Sequence, residues 1–278
     1  MSRTVLITGA STGIGRATAQ HFQTQGWNVV ATMRSPEDGA DLATLPRVIV
    51  TRLDVTDSSS ISAAVAEARA AFGGIDVLVN NAGFGAYGPL EITDMEVIRR
   101  QFDTNVIGLL EVTKAVLPTM REQRSGVVVN ISSVGGRMAF PLGSLYHGSK
   151  FAVEGLSEAL TYELAPLGIS VKVIEPGLVD TDFAGRSFVL SIDPEGGAYQ
   201  DTVGTVLTAF GAIQEQQGSA SATDVATAIF EAATDGTRQL RYIVGEDAVA
   251  TLGARAAMDD VAFIDMMRGN FGLLPQAE

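Results

Sequence analysis

The sequence predicts an α/β fold with a doubly wound, seven-stranded parallel sheet that carries helices on both faces. Short runs rich in Val and Ile recur along the 278 residues and are apolar along their whole length. Such runs are typical of parallel strands that are buried on both faces. Amphipathic segments of helical period lie between them, and this alternation indicates strand–helix–strand units. The connections between the strands are expected to be right-handed.

The elements are predicted in chain order from these two patterns. Seven runs are predicted to be strands: TVLIT (4–8), WNVVATM (27–33), RVIVTRLD (47–54), IDVLVN (75–80), GVVVNIS (126–132), ISVKVIE (169–175) and LRYIV (240–244). The clearest helical patterns cover residues 14–25, 59–72, 95–122, 146–165 and 222–235. No linker and no internal repeat interrupts them, so we expect residues 1–278 to form a single domain.

Two parts of the chain have weaker patterns. Residues 183–221 are predicted to be irregular, with a weak apolar pattern near 203–213. A long irregular segment inside a compact domain is usually a lid or a binding loop, so we expect a substrate loop here. A surface insertion without function is the alternative. The extension over about 245–278 has two weak helical patterns, and the sequence does not indicate its role.

Composition excludes several classes of function. The net charge of −13, from 19 basic and 32 acidic residues, argues against nucleic acid, an anionic membrane or an acidic protein as partner. The chain has no cysteine and only two histidines, so we expect no disulfide and no metal site. The N-terminus has no apolar stretch of signal-peptide length, and no run approaches the roughly 18 residues of a membrane span. A cytoplasmic protein is therefore expected.

A glycine-rich segment follows the first predicted strand and begins the first predicted helix. The segment TGASTGIG (Thr8–Gly15) places Gly9, Gly13 and Gly15 in the spacing G-x-x-x-G-x-G. Glycines let a backbone approach a pyrophosphate closely, and the N-terminus of the following helix attracts its charge. The spacing differs from the G-x-G-x-x-G dinucleotide fingerprint, so a tight turn without a ligand stays open at this point.

The same segment contains a second motif. Residues 9–13, GASTG, match the G-x-S-x-G nucleophile elbow of serine hydrolases, with Ser11 as the nucleophile. The partner histidine would have to be His21 or His147, and neither lies in a recognisable context. The sequence therefore disfavours a hydrolase.

Tyr146 and Lys150 in the segment SLYHGSK lie four residues apart, on one face of the predicted helix. A free tyrosine, with a pKa near 10, is a poor acid–base group at neutral pH. A neighbouring ammonium favours the phenolate and lowers that pKa. Such a tyrosine can exchange a proton with an alcohol or a carbonyl oxygen.

In combination, these motifs make the sequence similar to the short-chain dehydrogenase/reductase family, over about residues 3–181 and more loosely at 240–244. The resemblance rests on five features in order: TGASTGIG (8–15), LDV (53–55), NNAG (80–83), NISS with YHGSK (130–133 and 146–150), and PGLVDT (176–181). It implies a Rossmann-like fold, and its glycine pattern is the G-x-x-x-G-x-G found here.

The resemblance also implies the catalytic roles. Tyr146 would be the acid/base, and Lys150 would lower its pKa and bind the ribose of the cofactor. Ser133, thirteen residues before Tyr146, would hold the substrate oxygen, and Ser132 could share that role. Asn105 would hold a water that connects Lys150 to solvent.

Further positions are implied to contact the cofactor. The glycine segment would hold the pyrophosphate with Gly9, Ser11, Thr12, Gly13, Ile14 and Gly15. Asp54 would bind the adenine amine, with Val55 beside it. The sheet edge under the adenosine would be braced by Asn80, Asn81, Ala82 and Gly83. The nicotinamide amide would be lined by Pro176, Gly177, Val179 and Thr181.

The end of the second strand indicates the cofactor. NAD-dependent relatives carry a carboxylate at the position of Met33, where it binds the ribose 2′-hydroxyl. Here Arg34 follows Met33, and a guanidinium matches the geometry of a 2′-phosphate. NADP(H) is therefore favoured, with NAD(H) as the alternative. An ordinary loop cation is the other reading of Arg34, and Thr12 occupies a position that is often basic in NADP-binding relatives.

The resulting hypothesis is an NADP(H)-dependent oxidoreductase that interconverts a ketone and a secondary alcohol. Its substrate is expected to be a hydrophobic small molecule, contacted by Phe84, Tyr87, Val134, Phe140, Leu178, Phe183 and the 183–220 segment. His147 is expected on the helix surface, with substrate contact as the alternative. A 3-oxoacyl-thioester reductase and a non-catalytic NADP-binding regulator remain the rival functions. The family resemblance implies a homodimer or homotetramer formed by helices over about 102–122 and 146–165.

Overall fold

A computed structural model describes residues 2–181, 187–193 and 195–274 of the chain. Its strands, in chain order, are β1 (Thr4–Ile7), β2 (Asn28–Met33), β3 (Val48–Arg52), β4 (Val77–Asn80), β5 (Gly85–Tyr87), β6 (Gly126–Ile131), β7 (Ile169–Pro176), β8 (Val179–Asp180), β9 (Phe188–Leu190), β10 (Ala220–Ser221) and β11 (Arg241–Val244). The seven predicted strands are all present, and each lies within its predicted run except that β7 ends one residue later, at Pro176.

These seven strands form one parallel sheet in the order β11-β7-β6-β4-β1-β2-β3. The strand order reverses between β1 and β4, which pair in register from Val5 opposite Val77 to Ile7 opposite Val79. In an open sheet of this kind, ligands bind outside the carboxyl ends of the strands at such a reversal. The predicted α/β fold is confirmed.

Helices cover both faces of the sheet. The described helices are α1 (Gly13–Thr24), α2 (Ser58–Phe72), α3 (Met95–Phe102), α4 (Leu109–Gln123), α5 (Ser144–Leu164), α6 (Gln200–Gln217), α7 (Ala222–Thr234), α8 (Glu246–Ala257) and α9 (Asp260–Asn270). Alternate strand residues point to opposite faces. Val5 and Ile7 of β1 share a core with Phe22 and Ile229 of α1 and α7, whereas Leu6 belongs to the core built by α2 and α4.

The predicted helix over 95–122 is not one regular α-helix. Between α3 and α4 the chain follows a π-helix over Asp103–Gly108. Gly108 packs so closely on the loop after β3 that a Cβ atom there would lie 2.7 Å from the carbonyl oxygen of Val55. Short π-helical segments inside α-helices often occur at functional sites.

The prediction that residues 183–221 are irregular is wrong for 200–217, which form α6. Its apolar side chains pack on the C-terminal extension instead of on the main sheet. Val206 is fully buried in a third core with Phe263 and Phe271 of the extension and with Val134 and Met138, which follow β6. Two short strand pairs, β5 with β9 and β8 with β10, connect the segment to the rest of the molecule.

Within the described ranges, no helix combines the length and the apolar character that crossing a membrane requires.

Candidate active site

The predicted site residues follow the carboxyl ends of four neighbouring strands. Gly9 follows β1, Asn81 follows β4, Ser133 follows β6, and Gly177 follows β7. Because the strands are parallel, these ends meet at one edge of the sheet, next to the reversal between β1 and β4. Tyr146 and Lys150 approach the same edge from the first turns of α5.

The glycine loop (Thr8–Gly15) makes a tight backbone turn before α1. Gly9 and Gly13 have φ angles of 68° and 52°, a region in which side chains cause strain. A Cβ atom at Gly15 would lie 2.3 Å from the carbonyl oxygen of Gly9 and 2.5 Å from Nδ2 of Asn81. Thr12 makes no side-chain cap bond to α1, so the first-turn N–H groups are not capped by it. An uncapped helix start next to glycines fits a pyrophosphate.

Hydrogen bonds join the glycine loop to the loop after β4. Nδ2 of Asn81 donates to the carbonyl oxygens of Thr8 and Gly9 at 2.9 and 3.1 Å. Oγ1 of Thr8 accepts bonds from the backbone N–H groups of Asn81 and Ala82, each at 3.0 Å. Asn80 instead lies inside the sheet and donates to Thr113 and Asn130. Asn81 therefore shapes the cradle directly, whereas Asn80 braces the strands below it.

The residues expected near the adenosine lie at the ends of β2 and β3. Met33 is buried, whereas Arg34 is exposed and makes no hydrogen bond or ion pair with any described residue. Oδ1 of Asp54 accepts bonds from the backbone and the hydroxyl of Thr56, and Val55 is buried. Arg34 is therefore a cation whose donors are available to a ligand.

Tyr146, Lys150 and Ser133 lie together. The hydroxyl of Ser133 hydrogen-bonds the side chain of Tyr146. Nζ of Lys150 donates to the carbonyl oxygen of Ile131 at 2.8 Å and lies 5.7 Å from the ring centroid of Tyr146. Oγ of Ser132 is buried and finds no hydrogen-bond partner among the residues that the structure describes. Of the two serines, Ser133 is therefore the one placed against Tyr146.

The charge states in this group differ from the sequence-based expectation. Burial raises the pKa of Tyr146, and the bond from Ser133 lowers it only in part. The expected net lowering of the Tyr146 pKa is not found, because desolvation of the phenolate dominates. Burial also lowers the pKa of Lys150, to about 8, while the charge of Glu154 raises it. Without ligand, Tyr146 is therefore a neutral phenol at neutral pH, the form that donates a proton.

Asn105 lies in the π-helical segment, and its side chain is used by the protein itself. Its Oδ1 accepts the N–H of Phe84 at 3.0 Å, and its Nδ2 donates to the carbonyl of Phe84 at 2.8 Å. Nδ2 also donates to Oγ of Ser149 at 3.2 Å. The side chain thus fixes the loop after β4, and a water beside Lys150 would have to bind to the main chain of Asn105 instead.

The prediction that His147 lies on the helix surface is wrong, since only 3% of the residue is exposed. Its Nε2 accepts the backbone N–H of Phe140 at 3.2 Å, and its Nδ1 lies 2.9 Å from the carbonyl of Gly135. An N–H can only donate, so the proton is on Nδ1 and the ring is neutral. Burial agrees with this, because it lowers the pKa of His147 to about 4. His147 therefore holds the segment after β6 in place.

The segment PGLVDT is held by a residue that the sequence did not indicate. The backbone N–H of Leu178 donates to Oδ2 of Asp247 at 2.7 Å, and a Cβ atom at Gly177 would lie 2.1 Å from that oxygen. Val179 pairs with Ala220 in β8 and β10. Thr181 reaches the glycine loop, where its Cβ would lie 3.5 Å from a Cβ at Gly13. The extension thus supports the predicted cofactor site through Asp247.

A group of aromatic rings packs beside Tyr146. The ring of Tyr87 stacks on Tyr146 and Phe188, with centroids 5.4 and 5.0 Å apart. The rings of Phe210 and Phe271 are 5.0 Å apart, and Phe140 lies against both. We call these rings the aromatic cap (Tyr87, Phe140, Phe188, Phe210 and Phe271).

The residues expected to contact substrate have different positions. Tyr87 and Phe140 belong to the aromatic cap, and Val134 is buried in the third core. Phe84 lies under the guanidinium of Arg100, whose Cζ is 4.7 Å from the ring centroid. Leu178 is half-buried beside Asp247, and Phe183 lies outside the described residues. Phe188 and Phe210 lie in the 183–220 segment that the sequence predicted to contact substrate, whereas Phe271 of the C-terminal extension was not predicted. Over the described part of the chain, no three His, Asp or Glu side chains cluster in a way that could hold a metal ion.

Comparisons with known proteins identify the family of the chain. A family model described as short chain dehydrogenase matches residues 3–188. An uncharacterized oxidoreductase of Schizosaccharomyces pombe is 42% identical over 246 residues, which cover 87% of this chain and 100% of the relative. A 3-ketodihydrosphingosine reductase of Bacteroides thetaiotaomicron is 41% identical and covers 71% of this chain and 72% of its own. The structure of ElxO with NADP bound has a TM-score of 0.74 at 27% identity, covering 90% of this chain and 100% of its own.

Proposed function

The chain belongs to the short-chain dehydrogenase family, and from that premise we propose that it interconverts a hydrophobic ketone and a secondary alcohol with NADP(H). It is an oxidoreductase that acts on CH–OH groups with a nicotinamide cofactor. The observation that carries the proposal is the group formed by the half-buried Tyr146 with the buried Ser133 and Lys150, at the same sheet edge as the glycine loop. NADP(H) is favoured over NAD(H), and a structural neighbour binds NADP.

Each part of the group has a chemical task. When bound, the cofactor supplies or accepts the hydride. The hydroxyl of Tyr146 gives its proton to the oxygen that becomes the alcohol, and in the reverse direction the phenolate takes it back. Ser133 holds the same oxygen through its hydroxyl. Lys150 places a positive charge near the phenolate ring and stabilises it during the proton transfer.

The cofactor would lie across the sheet edge, held by chain segments that the fold brings together. The glycine loop and the start of α1 would hold the pyrophosphate, and Lys150 would hold ribose hydroxyls with the donors that Ile131 does not use. Arg34 would bind the 2′-phosphate, since its guanidinium has no other partner among the described residues. The adenine side would be formed by Asp54, Val55, Asn81, Ala82 and Gly83. The nicotinamide side would be formed by Pro176, Gly177, Val179 and Thr181.

The aromatic cap supports a hydrophobic substrate. The half-buried ring of Tyr87 stacks on Tyr146, and desolvation raises the pKa of its hydroxyl, so it offers an apolar ring beside the proposed proton donor. The name of the Bacteroides thetaiotaomicron relative, a 3-ketodihydrosphingosine reductase, also describes the reduction of a keto compound. A long-chain or polycyclic ketone therefore suits the site better than a small polar one.

We further propose that the protein works in the cytoplasm as a homo-oligomer. Phe151 of α5 and Ile107 of the π-helical segment leave 47% and 48% of their surfaces exposed. Apolar side chains on the helices over 102–122 and 146–165 are suited to a contact with a second copy.

Replacing Tyr146 with Phe tests the proposed reaction. We expect the rate of NADPH oxidation with hydrophobic ketones to fall about 10²- to 10⁴-fold, because the only atom removed is the one that donates the proton. NADPH binding, measured by nicotinamide fluorescence, should be nearly unchanged. Tyr162→Phe is the matched control, since Tyr162 is on the same helix and 75% exposed. Wild-type rates in Tyr146→Phe would refute the assignment.

A further inference from the structure

Four side chains follow one another at intervals of four along α5. They are Tyr146, Lys150, Glu154 and Glu158, and this spacing places them on one face of the helix. The proposed reaction uses the first two and assigns nothing to the glutamates. Glu154 is only 5% exposed, which is unusual for a carboxylate unless it is paired.

Glu154 has one bound and one unbound oxygen. Its Oε2 accepts a bond from Nε of Arg241 at 2.9 Å, whereas its Oε1 is buried and has no hydrogen-bond partner in the described part of the chain. Lys150, one turn earlier, is 9% exposed and donates only to the carbonyl of Ile131 among the described residues. A buried ammonium ion therefore has a buried carboxylate as its neighbour one turn along the helix.

Other charged groups surround this pair. Glu175 of β7 is fully buried and accepts from Arg137 at 3.1 Å, and Nε of Arg241 lies 3.4 Å from it. NH2 of Arg241 also donates to Glu158 at 2.7 Å. Two guanidinium ions thus face Glu154 and Glu175 from β11 and from the segment after β6. His147 is neutral and adds no charge. Along the helix, the charged neighbour of Lys150 is therefore Glu154.

We infer that Glu154 is a positioning residue that keeps Lys150 in its ammonium form at neutral pH, with Arg241 holding the carboxylate in place. An ammonium ion without water needs a nearby opposite charge to stay protonated. No carboxylate of the described residues is hydrogen-bonded to Lys150, and the charge of Glu154 opposes the effect of burial on its pKa. The contribution of Glu154 to catalysis rests on the proposed function, in which a charged Lys150 stabilises the phenolate of Tyr146.

A different role would have a different consequence. If Glu154 only anchors β11 through Arg241, removing its charge should weaken the fold and leave the titration of Lys150 unchanged. If it supports the ammonium ion, the titration itself should move to lower pH. The pKa of Lys150 is therefore the quantity that separates the two roles.

Lysine titration by NMR measures that pKa without cofactor or substrate. The chain has only three lysines, Lys114, Lys150 and Lys172, so carbon-13 labelling at Cε should produce three signals. Lys150→Met identifies the signal of interest. In the wild type this signal should titrate near 8, and Glu154→Gln should lower its midpoint by about one pH unit.

Glu158→Gln is the matched control. Glu158 is on the same helix face and pairs with the same Arg241, but half of its side chain is exposed. Its substitution should leave the Lys150 midpoint at the wild-type value. A midpoint that is unchanged in Glu154→Gln, or that moves equally in both variants, would overturn the inference.

Glu154→Asp keeps the test informative if the Gln variant does not fold. The shorter side chain holds the charge further from Lys150, so the midpoint should lie below that of the wild type, and a wild-type midpoint would contradict the inference. In the active enzyme, the alkaline limit of ketone reduction should move with the NMR midpoint. Because the NMR titration needs no turnover, a chain without reductase activity would refute the proposed function and still answer this question.

Discussion

The glycine loop and the aromatic cap lie at the same sheet edge, but different interactions hold them. The glycine loop is held by backbone conformation and by hydrogen bonds that Asn81 donates to Thr8 and Gly9. The aromatic cap is held by ring packing between segments far apart in the chain, from Tyr87 to Phe271. The loop has no space for a Cβ atom at Gly15, whereas ring packing can adapt to changes of shape. Because the two regions are held by different interactions, we expect substitutions in the aromatic cap to change substrate binding and to leave cofactor binding intact.

The largest effect is expected from an added methyl group in the glycine loop. In Gly15→Ala the new Cβ would lie 2.3 Å from the carbonyl oxygen of Gly9, so the backbone must move. We expect the free energy of unfolding to fall by about 2–3 kcal/mol and NADPH binding to be lost. Urea unfolding and nicotinamide fluorescence measure the two effects.

Gly155→Ala is the control for this change. Gly155 lies in α5 with nothing within 4 Å of a Cβ atom there. Its substitution should stabilise the protein by about 0.5–1 kcal/mol, because alanine favours the helix. Wild-type NADPH binding in both variants would contradict the close packing of the glycine loop around Gly15.

A different effect is expected in the aromatic cap, on stability and substrate binding instead of on cofactor binding. Phe271 is 3% exposed and lies 5.0 Å from the ring of Phe210. Phe271→Ala should lower the free energy of unfolding by about 3 kcal/mol and raise the KM for the ketone, because the cavity loosens the rings around it. NADPH affinity should not change.

Val261→Ala is the control for the cap, because Val261 is on the same C-terminal extension and 71% exposed. It should have little effect on KM or on stability. A Phe271→Ala enzyme that lost NADPH affinity with its KM unchanged would show that the two regions are not separate.

The smallest effect is expected at the rim of the cofactor site. Arg34→Ala removes an exposed cation that has no partner among the described residues. It should weaken NADPH binding about 10- to 100-fold and leave NADH binding nearly unchanged, because only NADPH carries the 2′-phosphate. Fluorescence titration with both cofactors measures this difference, and Arg99→Ala, an exposed arginine of α3, is the control. Equal losses for both cofactors would contradict the role of Arg34.

Sequence reasoning predicted the sheet and the motif positions because these depend on local pattern. The seven strands were visible as apolar runs, and Tyr146 and Lys150 as a pair with helical spacing. Helix α6 was missed, since its apolar residues pack on the C-terminal extension and follow no strong period of their own. The burial of His147 was missed for a similar reason: its partners, Gly135 and Phe140, lie on the preceding segment.

The sequence by itself determined the α/β fold, the glycine loop and the family, because strand periodicity, glycine spacing and the Tyr-x-x-x-Lys motif are properties of neighbouring residues. Only the tertiary structure decided that Asp247 supports the segment after β7, and that the pKa of Tyr146 rises instead of falling. It alone also placed Glu154 among buried charges. Burial and long-range contacts set these properties, and they depend on which distant segments fold against one another.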